Sequence, residues 1–197
     1  AVFSFAWHQA DISALGTDDD HTYTKVVLRA DVAPHRMGDV TELRGVERVT
    51  FNGVSGNLAD AVSRAASDLK LSIGGVVQTG AIRVSDLLTP GQVVATIAVT
   101  DANIAFGDTQ RFSFATAAST NFTKAYVDAG SFFEFDGNNI KVKAGLDITA
   151  MPSRMLVGLK ATGADFMSSV FDFSFEIDSR PVSVVGADGV NDSLTGG

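Results

Sequence analysis

The sequence has no cysteine, one tryptophan, two tyrosines and three scattered histidines among its 197 residues. The absence of cysteine excludes disulfide bonds, thiolate zinc sites and cysteine nucleophiles. Three histidines are too few for a histidine-rich metal site. The chain also lacks any apolar run of about 18 residues, the length that a membrane-spanning helix requires. We therefore expect no membrane insertion.

Basic residues are also few, with 15 Lys and Arg against 23 Asp and Glu and a net charge of −8. Such an acidic surface repels phosphate backbones, so nucleic acid is excluded as a partner and polyvalent cations are favoured. Apolar residues make up 45% of the chain and the mean hydropathy is +0.18, which predicts a folded core. Because the chain begins at Ala1 without a signal peptide, we expect it to be part of a longer protein.

Catalytic patterns are missing as well. No serine lies in a nucleophile-elbow motif, and His8, His21 and His35 are far apart in the sequence. Glu134 and Asp136 are two residues apart on a predicted strand, which places them side by side on a polar outer face. We predict no catalytic and no cofactor-binding residue, so the protein is expected not to be an enzyme. A cleft in which carboxylates or a histidine converge would favour an enzyme domain instead.

Aromatic residues are mostly phenylalanine, with 14 copies. Phenylalanine offers no hydroxyl or indole group, so we expect these rings in a dry core. We also expect Phe122, Phe132 and Phe166 to lie in the core, although the sequence places them near loops. Exposed aromatic rings in a line across a sheet would favour a different interpretation, a carbohydrate-binding module attached to a polysaccharide-acting enzyme.

The first 56 residues are mostly strand-like, at 2–5, 24–28 and 48–51, and the pair Asn52-Gly53 predicts a tight turn. The next segment, 57–70, carries apolar residues at helical spacing after Asn57, a good N-cap. It predicts one amphipathic helix, ended by Gly74-Gly75.

From about residue 81 the chain is a series of short strands with turn signals between them, at 93–99, 111–114, 132–135, 140–143, 156–160 and 170–177. In the last of these, Phe171, Phe173 and Phe175 alternate with polar residues, which predicts one buried and one solvated face. This pattern predicts a mainly β protein with an antiparallel β-sandwich of roughly a hundred residues. The predicted sandwich core comprises Val94, Ile97, Phe112, Phe114, Phe133, Phe135, Leu156, Phe171, Phe173 and Phe175.

The segment Pro90 to Asp178 resembles the cadherin-like repeats of large secreted bacterial proteins. The resemblance lies in the order of four phrases, which are TPGQVV at 89–94, IAVTDAN at 97–103, FEFDG at 133–137 and IKVKAGLD at 140–147. It implies a cadherin- or immunoglobulin-like antiparallel β-sandwich at 81–180, preceded by a smaller strand-rich unit at 1–80 with its helix at 57–70.

The resemblance also implies calcium at the module ends, held by Asp101, Asn103, Asp108 and Asp147. The family's second aspartate is replaced by Asn103, and the glutamate expected after Asp147 is missing. Because calcium prefers six to eight oxygen ligands, several of them carboxylates, we expect weak or partly lost sites.

The C-terminal stretch 181–197 is predicted to be a linker followed by a glycine- and aspartate-rich segment. Gly186 to Gly197 resembles the start of a repeats-in-toxin (RTX) array, in which Asp188 and Asp192 would be calcium ligands. Together the resemblances imply a non-catalytic extracellular module of a secreted RTX-type protein, which serves adhesion, spacing or presentation. They further imply type I secretion through a C-terminal signal outside this sequence, and a cell-surface glycan or protein as the partner.

Overall fold

The computed structural model describes residues 1–17, 22–29, 36–85, 88–116, 125–146, 151–178, 183–185 and 191–193. Within these residues the protein is mainly β, with a single short α-helix and three 3₁₀ helices. The mainly β fold class predicted from the sequence is thus confirmed. His21, His35 and Phe122 lie outside the described residues.

Two three-stranded sheets come first. Their strands are β1 (Val2–Phe3), β2 (Ala10–Thr17), β3 (Thr22–Leu28), β4 (Val40–Arg44), β5 (Arg48–Phe51) and β6 (Val54–Asn57). Strands β2, β3 and β4 form one antiparallel sheet, and β1 joins the β5–β6 hairpin by parallel pairing with β5. The turn of that hairpin is Asn52-Gly53, with φ of 44° and 84°. Positive φ at both positions is what a two-residue type I′ turn requires, so the predicted turn is confirmed.

Aromatic rings form the core of these first sheets. Phe51 stacks on Phe3 with ring centroids 5.0 Å apart, and it meets Phe106 edge-on at 6.1 Å. Trp7, in a 3₁₀ helix (Trp7–Gln9), is 1% exposed and donates its indole N–H to the Ala61 carbonyl at 2.7 Å. The one tryptophan is therefore fixed against the segment that follows β6.

The predicted helix at 57–70 is wrong for most of its length. The helix α1 spans only Leu58–Ala61, and Val62 already has extended backbone angles (φ −61°, ψ 125°). The chain then forms strand β7 (Asp68–Ile73), in which Leu69 and Leu71 are buried and Lys70 is exposed.

Two causes explain the difference. Asn57 makes no side-chain cap hydrogen bond. Distant groups also bind the backbone that a helix would use, since Ser63 N–H donates to the Ile12 carbonyl at 2.8 Å and Arg64 N–H to Asn103 Oδ1 at 3.3 Å. Short apolar segments fit a period of two as well as a helical period, and here tertiary hydrogen bonding selects the strand.

The next nine strands form a β-sandwich. They are β7, β8 (Val76–Val77), β9 (Ile82–Ser85), β10 (Val93–Thr100), β11 (Arg111–Ala115), β12 (Phe133–Asp136), β13 (Asn139–Val142), β14 (Arg154–Thr162) and β15 (Ser168–Asp178). One sheet has the order β12-β13-β10-β7-β8, and the other has the order β11-β14-β15-β9. Apart from the short β8 and β9, this is the D-E-B-A and C-F-G arrangement of immunoglobulin-like sandwiches. Strand β9 adds to the second sheet by parallel pairing with β15. The predicted sandwich is confirmed.

The alternation in β15 is also confirmed, but only one of its aromatic rings is fully buried. Phe175 is 0% exposed, whereas Phe171 and Phe173 are half-buried. The ring of Phe175 lies 5.5 Å from that of Phe133 in the opposite sheet. Of the predicted core, the fully buried members are Val94, Ile97, Phe133 and Phe175; the half-buried ones are Phe112, Phe114, Phe135, Leu156, Phe171 and Phe173.

Phenylalanine was expected to be a core residue throughout, and for Phe166 this expectation is wrong. Its side chain is 79% exposed and its backbone has φ of +66°. Phe166 lies in the turn between β14 and β15, where the strand alternation that buries the other rings does not apply.

The chain forms two compact units. The first contains Ala1–Lys70, Ala98–Ser113 and Leu159–Phe171, and the second contains Leu71–Ile97, Phe114–Gly158 and Asp172–Gly197. Near the C-terminus, Ser183–Val185 and Asn191–Ser193 pair as a two-stranded antiparallel sheet of β16 and β17. The domain boundaries drawn at residues 80 and 180 stay a prediction.

Candidate metal centre

The first unit contains a cluster of buried aspartates, which begins with Asp101 at the end of β10. Asp101 is 8% exposed and precedes a 3₁₀ helix (Ala102–Phe106). Its Oδ1 accepts the N–H of Asn103 at 2.8 Å, which fixes the carboxylate at the start of that helix. An aspartate is favoured at this position because its side chain satisfies a backbone donor that the helix leaves free.

Gln110 joins Asp101 to the second carboxylate, Asp108. Its Nε2 donates to Asp101 Oδ2 at 2.9 Å and to Asp108 Oδ2 at 2.6 Å. The other oxygen of Asp108 accepts the N–H of Ala164 at 2.6 Å. An amide donor thus lies between two carboxylates, in the position where a cation would offset their charges most directly.

The third member, Asp165, comes from the turn between β14 and β15. It is 2% exposed, and its Oδ1 accepts the N–H of Met167 at 2.9 Å. Its Oδ2 is buried without a hydrogen-bond partner, and so is Oε1 of Gln110. Buried acceptors without partners are rare in folded proteins and indicate a bound ion or water. The cluster therefore has the negative charge and the unused oxygens that attract a cation.

Gly163 makes room for this cluster. A Cβ atom at this position would lie 2.7 Å from both Asp108 Oδ2 and Asp165 Oδ1. The two carboxylate oxygens are accordingly no more than twice that distance apart. Only glycine leaves this space free.

We expect Gly163→Ala to lower the free energy of unfolding by about 1–3 kcal/mol, the usual range for overpacking a closed site. Gly80→Ala is the control, since a Cβ atom there meets nothing within 4 Å. Urea denaturation of both variants measures the difference. If the two substitutions had equal effects, the carboxylates would not meet at Gly163.

Burial sets the electrostatics of the cluster. It raises the pKa of Asp108, and the charge of Asp101 raises it further, against the opposing hydrogen bond from Ala164. Burial also raises the pKa of Asp165, together with the charge of Asp108, while the hydrogen bond from Met167 and the charge of Arg29 lower it. In both groups burial is the largest cause, and it disfavours the charged form.

Asn103 was expected to be a ligand, and its side chain is already hydrogen-bonded at both ends. Its Nδ2 donates to the carbonyls of Asp60 at 2.6 Å and Val62 at 3.0 Å, and its Oδ1 accepts from Arg64 N–H. At 0% exposed, it serves to connect two segments of the first unit.

The other predicted ligands are not brought into the cluster by the described structure. Asp147 and Asp188 lie outside the described residues, and Asp192 lies in β17, where only the backbone is described. The sequence did not predict Asp165 as a ligand, because it lies in none of the segments that resemble the calcium-binding motifs. The signal for it is topological, because β14 neighbours β11 and its end therefore lies near the beginning of β11.

The described residues include no group of three or more histidine, aspartate or glutamate side chains already arranged to hold a metal. The three aspartates would have to draw closer around an ion. Across the same residues, no helix is long and apolar enough to cross a bilayer.

Comparison with known proteins identifies only structural neighbours. No protein-family model and no curated protein matches the chain. It is similar to solved structures of human protocadherin-24 EC1-2 (13% identity, TM-score 0.38), Drosophila N-cadherin EC1-3 (11%, 0.36) and protocadherin gamma B7 extracellular cadherin domains 1-4 (15%, 0.38). In the same order, the matches cover 81%, 82% and 91% of this chain, and they cover 65%, 44% and 42% of the matched chains. The chain thus spans less than two thirds of their length.

Proposed function

We propose that the protein is a non-catalytic β-sandwich module of an extracellular protein, serving adhesion, spacing or presentation, and that it binds calcium weakly. The observation that carries the proposal is the buried cluster of Asp101, Asp108 and Asp165 with the unpaired oxygens of Asp165 and Gln110. The sandwich topology supports the module class, and the sequence resemblance supports the extracellular setting.

Calcium suits the donors of the cluster. It binds oxygen ligands, carboxylates above all, at about 2.3–2.6 Å and accepts flexible geometry. If the Gln110 amide turned over, its Oε1 would face the ion instead of its Nε2 facing the two carboxylates. Asp101, Asp108, Asp165 and Gln110 would then supply fewer oxygens than the six to eight that calcium prefers. Water would complete the shell, and the affinity is expected to be low.

We expect a calcium Kd of about 10⁻⁴–10⁻³ M or weaker, the range of extracellular modules. For a Kd near 10⁻⁴ M, about 10 mM calcium would stabilise the fold by about 2.7 kcal/mol. Thermal denaturation with and without calcium, together with calorimetric titration, measures both quantities.

Asp165→Asn and Asp101→Asn should weaken calcium binding, while Asp68→Asn is the control. Asp68 is a half-exposed aspartate of β7 that pairs with Lys70 outside the cluster. Micromolar binding unaffected by Asp165→Asn would place the ion elsewhere. Absence of any calcium effect at 10 mM would contradict the calcium proposal.

We propose further that the parent chain is a secreted protein of the RTX type. The glycine- and aspartate-rich sequence from Gly186 to Gly197 supports this. In such arrays, stacked nine-residue repeats bind calcium in their turns. A parent sequence without further repeats of this kind after Gly197 would contradict the proposal.

A further inference from the structure

A pocket of about 390 Å³ adjoins the aspartate cluster within the first unit. Its lining includes His8, Thr109, Arg111, Thr162, Gly163 and Phe166, and we refer to it as the Phe166 pocket. Its volume is within the range of small-ligand sites, about 300–1,000 Å³.

Phe166 provides an aromatic surface at this pocket. Its side chain is 79% exposed, and its φ of +66° is a strained conformation for a bulky residue. Strain of this kind persists only where the surrounding structure maintains it, and it is concentrated at ligand sites and active sites. Here the Arg29 guanidinium supports the ring, at 5.8 Å from its centroid. The protein therefore keeps a large apolar ring in solvent at a cost to its own stability.

The polar part of the lining favours an anion with hydroxyl groups. Arg111 is exposed and can bind a carboxylate through two parallel hydrogen bonds. Thr109 and Thr162 add hydroxyls that both donate and accept. An aromatic ring, an arginine and hydroxyls together match a carboxylated sugar, whose ring has an apolar C–H face and a polar edge.

We propose that the Phe166 pocket binds a carboxylated sugar unit of an acidic glycan. Arg111 binds the carboxylate, Phe166 packs on the C–H face of the sugar ring, and Thr109 and Thr162 bind its hydroxyls. Gly163 lines the pocket and also lies between the carboxylates of Asp108 and Asp165. Calcium at those aspartates would offset their repulsion of the sugar carboxylate and strengthen binding. That enhancement, but not the pocket itself, rests on the proposed function.

The test is titration of the protein with trigalacturonate, followed by calorimetry and by NMR chemical shifts, with and without calcium. Maltotriose is the neutral control, and a triglutamate peptide carries carboxylates without a sugar ring. Phe166→Asn is the ring variant because asparagine tolerates positive φ, so the fold should be kept. Arg111→Gln removes the carboxylate partner. Arg48→Gln is the matched control, an exposed arginine of β5 that does not line the pocket.

We expect trigalacturonate to bind at least about tenfold more tightly than maltotriose, the effect of one hydrogen-bonded charge. Arg111→Gln should abolish this preference, Phe166→Asn should weaken binding several-fold, and Arg48→Gln should change nothing. Calcium should strengthen binding of the acidic sugar only.

The other outcomes would each overturn the pocket proposal, the calcium proposal or the enhancement by calcium. If calcium binds but trigalacturonate binds no better than maltotriose, the pocket proposal is overturned and the proposed calcium function stands. If trigalacturonate binds as expected but calcium neither binds to nor stabilises the protein, the pocket stands and the calcium proposal fails. If calcium binds without strengthening trigalacturonate binding, only the enhancement is overturned. Equal binding of triglutamate, or unchanged binding by Arg111→Gln, would overturn a carboxylated sugar as the ligand.

Discussion

Replacing Phe175 by alanine is expected to lower the free energy of unfolding by about 3–5 kcal/mol, the usual loss for a buried phenylalanine. Phe175 is 0% exposed and its ring lies 5.5 Å from that of Phe133 in the opposite sheet. The substitution removes the apolar contacts that join the two sheets and leaves a cavity that close-packed neighbours fill only in part. Urea denaturation followed by far-UV circular dichroism measures the loss.

Phe173→Ala is the matched control, since it makes the same chemical change two residues away on the same face of β15. Its side chain is half-buried, so less apolar surface returns to water and we expect a loss of under about 2 kcal/mol. If Phe173→Ala cost as much as Phe175→Ala, the burial along β15 would differ from that described.

Replacing Asn103 by alanine is expected to lower the free energy of unfolding of the first unit by about 2–5 kcal/mol. The substitution leaves the Asp60 and Val62 carbonyls and the Arg64 N–H without their partner. Each buried polar group that loses its partner costs about 1–3 kcal/mol, and partial solvent access reduces the total.

Trp7 provides the measurement, because its indole N–H donates to Ala61 in the segment that Asn103 anchors. Urea denaturation followed by tryptophan fluorescence therefore reports on this unit. Asn57→Ala is the control: Asn57 is exposed, and its amide donates only to the half-buried Asp60 carboxylate at 3.2 Å. We expect a change below about 0.5 kcal/mol there. If Asn103→Ala and Asn57→Ala lowered the free energy of unfolding equally, the anchoring role of Asn103 would be contradicted.

Much of the strand content could be predicted from the sequence because it depends on local pattern. Strand β5 has the predicted bounds, and the Asn52-Gly53 turn adopts the positive φ angles that its residues favour. The alternation in β15 correctly predicted which face is buried. It did not predict that Phe175 is fully buried while Phe173 is not, since that depends on which residues of the opposite sheet lie across from each ring.

The candidate site could be predicted only in part. Asp101 and Asp108 were expected to lie together because the resemblance implies one calcium site that includes both, and both belong to the buried cluster. Asp165 is more than fifty residues from Asp108 and reaches the cluster through the pairing of β14 with β11. Asn103 fits the expected ligand pattern, yet both the amide N–H₂ and the amide oxygen of its side chain are hydrogen-bonded to the backbone of 60–64.

By itself, therefore, the sequence determined that the protein is mainly β and acidic, has no cysteine chemistry, and contains a β-sandwich. These properties follow from composition and from a period of two, which are local. Tertiary structure alone decided that 62–70 is not helical, that Asp165 joins the aspartate cluster and that Phe166 faces solvent. Each of these depends on hydrogen bonds or packing between residues far apart in the chain, and such long-range interactions outweigh the small free-energy differences between local conformations.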